Sequence, residues 1–102
     1  MQLARVTGTV VASRKEPLAE GWSLLVVQPL TEAGLDGGAP FVAVDDLGVG
    51  PDEVVLVASG SSARQTKRTD QRPCDAVIIA VVDSWDLGGT VRWRKGDPLP
   101  TR

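Results

Sequence analysis

The chain has 102 residues, 42% hydrophobic and 24% charged, with a net charge of −2, one cysteine and no histidine. That length suits one domain, and the charge balance marks neither a disordered chain nor a polybasic nucleic-acid binder. Without histidine, Cys/His zinc sites, serine–histidine hydrolysis and an imidazole-activated Cys74 are all excluded, so Cys74 is read as a small packed residue.

Leu3 to Ser13 mixes β-branched and small polar residues in rough alternation and predicts a long half-buried strand, with Gly8 marking a bend or bulge. Arg14-Lys15-Glu16-Pro17 is a charged turn followed by a loop to Gly21. Trp22 to Pro29 predicts a second strand that ends where proline removes a ladder donor. Thr31 to Pro40, with three glycines, is a flexible hairpin connection, and Phe41 to Asp45 predicts a third strand. Asp46 to Asp52 is a dense turn before a fourth strand beginning at Glu53.

Val54 to Val57 is apolar without interruption, as in a strand buried on both faces. It runs into Gly60-Ser61-Ser62-Ala63-Arg64-Gln65, where glycine frees the backbone and Ser62 stands three residues before Gln65, the spacing of a capping box. One helical turn is expected there. Thr66 to Pro73 is wholly polar and reads as an exposed loop. Asp75 to Asp83 is the clearest strand, apolar between two aspartates. Asp86-Leu-Gly-Gly-Thr reads as a turn, Val91 to Lys95 as a short amphipathic strand, and Gly96 to Arg102 as a tail. The pattern predicts an all-β domain, a small five-stranded barrel of the OB type with a C-terminal extension.

Catalytic chemistry finds little footing. Asp75 and Asp83 share a strand face but stand roughly 26 Å apart at about 3.3 Å per residue, too far to act on one bond. Asp45 and Asp46 would point to opposite faces and make a poor metal site. Gly48-Val-Gly50 lacks the third glycine of a phosphate loop. No cofactor or metal is expected, and no nucleic acid or membrane partner. Trp85 and Trp93 flank a turn, either as anchors at a subunit contact or as packing for the tail; Arg14 and Lys15 are further candidate contacts.

Six segments, in order, resemble the EutN/CcmL-type vertex shell proteins of bacterial microcompartments. They are Gly8-Thr-Val-Val-Ala-Ser-Arg-Lys15; Leu24-Leu-Val-Val-Gln-Pro-Leu30; Ala43-Val-Asp45; Gly48-Val-Gly50 with Glu53-Val-Val-Leu56; Gly60-Ser-Ser-Ala-Arg64; and Pro73-Cys-Asp-Ala-Val-Ile-Ile-Ala-Val-Val-Asp83. Pro51-Asp52 and Cys74 depart from the family pattern. The resemblance spans about residues 1–84, the expected barrel domain, and leaves 85–102 as an extension of it. It implies a non-enzymatic cyclic homopentamer that caps the fivefold vertices of a cytoplasmic microcompartment shell among hexameric shell proteins. It also implies that Gly60, Ser61, Ser62, Ala63 and Arg64 border a narrow pore on the fivefold axis. There Arg64 would either favour a small anion or staple neighbouring subunits through an acidic partner. The rival reading is a small OB-like binding module for an oligosaccharide or nucleic acid.

Overall fold

The structure, a computed structural model, describes residues 1–13, 21–60 and 75–100. Its strands are β1 (Gln2–Val10), β2 (Ser23–Pro29), β3 (Phe41–Asp45), β4 (Val54–Ser59), β5 (Ala76–Val81), β6 (Ser84–Leu87) and β7 (Thr90–Arg94). The first five close into a barrel in the order β1-β2-β3-β5-β4, with β4 returning to β1. All neighbours are antiparallel except β3 and β5, which meet in parallel at Val44 and Val77. The expected all-β, OB-like barrel is present.

Alternation sets its interior. Ala4 and Val6, Leu25 and Val27, Val55 and Val57, and Ala76 and Ile78 are pairs two residues apart, and with Ala43 they form one buried cluster. Side chains two apart share a strand face, so these small aliphatic residues fill a narrow lumen. Gly8 marks an irregularity as expected, since the β1–β2 register shifts between Val6 and Gly8. β1 ends at Val10, short of the expected Ser13, and Val11 is exposed.

The outside of the barrel is also apolar in two places. Trp22, Val44, Ala58 and Val77 form one buried cluster. Leu30, Val54, Trp93 and Leu99 form another, against which Leu3, Val82 and Trp85 pack. Val54 thus faces outward while Val55 faces inward, which accounts for the unbroken apolar run of β4.

The C-terminal region differs from expectation in two respects. Asp86, Leu87 and Thr90 belong to strands, and the turn contracts to Gly88-Gly89, whose φ values of 59° and 84° are left-handed at both positions. Such a two-residue loop matches the twist of a hairpin, and nearly only glycine, asparagine or aspartate adopts it freely. The supposed tail is likewise packed: Leu99 is 4% exposed. The Thr31 to Pro40 connection is pinned by hydrogen bonds from Thr31 N to the Leu35 carbonyl at 2.7 Å and from Gly37 N to the Pro29 carbonyl at 2.9 Å.

Candidate functional site

The expected pore segment starts at the end of β4, where Ser59 pairs with Ala76. One residue further, Gly60 N donates to the Asp75 carbonyl at 2.9 Å, the last rung before the chain leaves the sheet. Gly60 has φ 64°, and among the described residues a Cβ there would meet nothing within 4 Å. That left-handed φ is by itself a conformational reason for glycine. Ser61, Ser62, Ala63 and Arg64 follow, and these four lie outside the described residues, as do Arg14, Lys15 and Cys74 and the rest of the expected helical turn.

Trp85 and Trp93 are brought together. They sit opposite each other in the β6–β7 hairpin with ring centroids 5.4 Å apart and planes 30° from parallel. Trp85 Nε1–H donates to the Glu32 carbonyl at 2.8 Å, and Trp93 Nε1–H donates to the Asp97 carbonyl at 2.9 Å. Both indoles therefore find their hydrogen-bond acceptors inside the chain. Trp93 is 7% exposed, whereas Trp85 keeps an accessible edge.

Asp45 has a function that its sequence position did not suggest. Its buried carboxylate accepts the Leu47 N–H at Oδ1 and the Val49 N–H at Oδ2, both at 2.8 Å. This holds the turn in place, and Val49 in turn packs against the cluster inside the barrel. The signal was available: an aspartate two residues before a glycine-rich turn is the usual residue for capping that turn's free N–H groups. Asp75 and Asp83 flank β5 at its two ends, as expected. Among the described residues, no group of three or more acidic or cysteine side chains could hold a metal ion.

A shallow cleft of about 210 Å³ lies between the turn at Pro51 to Glu53 and the C-terminal segment around Trp93 and Leu99. Lys95 Nζ stands 3.8 Å from Glu53 Oε2 at its edge, and Arg5 Nη1 stands 3.6 Å from Asp52 Oδ1. The lysine and Asp52 are both largely exposed, so neither pair contributes much stability.

A family model described as "Ethanolamine utilisation protein EutN/carboxysome" matches residues 1–83. The carboxysome shell vertex protein CcmL of Gloeobacter violaceus is 42% identical over 97 residues, which is 95% of this chain and 97% of its own. Its solved structure matches with a TM-score of 0.89, covering 95% of this chain and 100% of that one. The microcompartment shell vertex protein EutN of Salmonella typhimurium is 42% identical over 96 residues, covering 93% of this chain and 96% of its own. The solved structure of GrpN from Rhodospirillum rubrum, described as a pentameric microcompartment shell protein, is 40% identical with a TM-score of 0.78, covering 85% of this chain and 99% of that one. An alignment of 97 out of 102 residues cannot omit the hairpin, so the likeness to CcmL reaches well past the family model's end at residue 83.

Proposed function

Because the chain belongs to the EutN/CcmL family of bacterial microcompartment shell vertex proteins, we propose that it closes the vertices of such a shell as a ring of five copies. The protein is structural rather than enzymatic, and its place is the shell of a cytoplasmic microcompartment. The observation that carries the reading is the match of nearly the whole chain to relatives described as shell vertex proteins, one of them pentameric. The physics of the subunit agrees: a closed barrel has no free edge for open-ended sheet growth, so association proceeds through side-chain faces that can close a ring by rotation. The rival oligosaccharide or nucleic-acid module would need exposed aromatic rings, whereas Trp22 and Trp93 are buried and Trp85 is stacked on Trp93.

In this ring, Gly60, Ser61, Ser62, Ala63 and Arg64 line the channel on the axis, and hexameric shell proteins surround the pentamer. Arg14 and Lys15, together with the accessible edge of Trp85, serve subunit contacts. Trp93 supports that edge from beneath. Five copies of Arg64 around one axis concentrate positive charge and hold a small anion there.

Native mass spectrometry of the full chain is expected to show a species of about 54 kDa, five times the 10.8 kDa subunit. A monomer at every concentration would remove both ring and pore. Arg64→Ala is expected to leave that mass unchanged while weakening sulfate or phosphate binding by at least about tenfold, since it removes the cation from all five copies at once. Collapse to monomers would instead assign Arg64 to the subunit contact.

A further inference from the structure

The β6–β7 hairpin has two chemically different faces. Trp85 and Trp93 lie on the face turned to the barrel. Ser84 pairs with Arg94 and Asp86 with Val91, which puts these four on the opposite face, since neighbouring residues of a strand alternate sides. The register shift between Trp85 and Asp86 leaves Arg92 as the extra residue of a bulge. Ser84, Asp86, Val91, Arg92 and Arg94 are all exposed.

Among the described residues, that outer face carries more positive than negative charge. Among the described residues, neither Arg92 nor Arg94 forms an ion pair. Its one carboxylate, Asp86, is turned to the hairpin tip, where Oδ2 accepts the Gly89 N–H at 3.2 Å. Residues 84–95 hold three cations and one carboxylate; Lys95 stands beside Glu53, which leaves Arg92 and Arg94 against Asp86, while the rest of the chain holds eight cations and twelve carboxylates, a net charge of −4. The chain is a basic projection on an acidic body.

A ring built head to tail sets one face of each copy against a different face of the next. Charges so divided attract only when the hairpin of one copy meets the barrel of another, because hairpin against hairpin and barrel against barrel both repel. We infer that the outer face of the hairpin, through Arg92 and Arg94, engages carboxylates on the barrel of the adjacent copy in the ring. The inference rests on the ring reading above. Val91, 44% exposed, adds apolar area between the two guanidinium groups and the surface they grip.

The test compares the full chain with Arg92→Glu/Arg94→Glu and Arg92→Gln/Arg94→Gln by light scattering across a dilution series at low and high salt. The wild-type ring is expected to loosen as salt rises. The Glu pair should raise the midpoint concentration for assembly roughly tenfold or more and the Gln pair by less, as charge pairs at an interface do. Far-UV circular dichroism should stay unchanged, since both positions are exposed. A second variant locates the partner: Arg92→Lys/Arg94→Lys, mixed as ¹⁵N-labelled and unlabelled copies and treated with a zero-length carbodiimide, should yield mixed-isotope cross-links to barrel carboxylates. A wild-type ring with unshifted midpoints in both charge variants and no mixed-isotope cross-link overturns the proposal. So does an intact Glu-variant ring that has lost only its co-assembly with hexameric shell protein, which would make the tile the partner. A wild-type monomer at all concentrations would fail the ring reading itself, and this contact with it.

Discussion

Trp93→Ala is expected to destabilise the protein by about 3–5 kcal/mol, the range for emptying a buried aromatic site. At roughly 4–8 °C per kcal/mol for a domain of this size, the melting midpoint should fall by on the order of 20 °C. The indole is 7% exposed, packs with Leu30, Val54 and Leu99, stacks on Trp85, and donates to the Asp97 carbonyl. It therefore joins the hairpin, the terminal segment and the barrel wall at one place. Because β6 and β7 form a sheet separate from the barrel, the damage should begin locally. Trypsin should cut the variant after Arg92, Arg94 and Lys95 under conditions that spare the wild type, and before the barrel melts. Trp93→Phe should retain most of the packing and cost about 1–2 kcal/mol. A shift of only a few degrees in Trp93→Ala, without new cleavage, would show that something else holds the extension down.

The second large effect concerns Asp45. Asp45→Ala strips the partner from the Leu47 and Val49 N–H groups at once. Leu47 is largely exposed and Val49 half-buried, so water replaces part of what the carboxylate supplied, and a loss of about 1–3 kcal/mol is expected in denaturant titration. The exposed neighbour Asp46 is the control, with Asp46→Ala expected to stay within about 1 kcal/mol of wild type. Asp45→Asn should fall between, because one acceptor oxygen survives while an NH₂ faces the other backbone donor. Equal effects at the two positions would mean that the turn does not depend on its cap. The packing of Val49 against the interior cluster explains why a single turn matters: it ties the turn to the core.

The barrel strands were legible because each carries its own period. Ala4 and Val6, Leu25 and Val27, and Val55 and Val57 alternate with outward residues, and a strand needs no distant information to show that pattern. β6 was not legible. Ser84-Trp85-Asp86-Leu87 alternates too, but its last two residues adjoin Gly88-Gly89 and read as part of a longer turn, although a two-residue loop needs only the glycines. Leu99 was hidden for another reason: it stands between two prolines, and its burial depends on Leu30 and Val54, which are distant in sequence, as well as on Trp93. Asp45 and Asp46 looked alike in sequence and differ only because strand geometry turns one carboxylate back over the following turn. The strand order, with its single parallel contact at Val44 and Val77, is a long-range property that no local stretch encodes. At the candidate site, the local sequence disclosed the turn at Gly60, while the role of the four residues after it came from the resemblance.

The way the barrel closes has a consequence for its biosynthesis. β1, β2 and β3 are consecutive neighbours and can pair as soon as they are made, but both outer edges of that three-stranded sheet stay open. β4 arrives first and covers the edge of β1, which leaves β4 and β3 as the open edges until β5, paired to both, closes the barrel. At a synthesis rate of about 5–20 residues per second, the stretch from Asp45 to Val81 takes roughly 2–7 s to appear. For that interval the nascent chain presents two unpaired edges and an uncovered apolar surface, the combination most prone to pairing with other chains on the same messenger. The finished barrel is edgeless; its precursor on the ribosome is not.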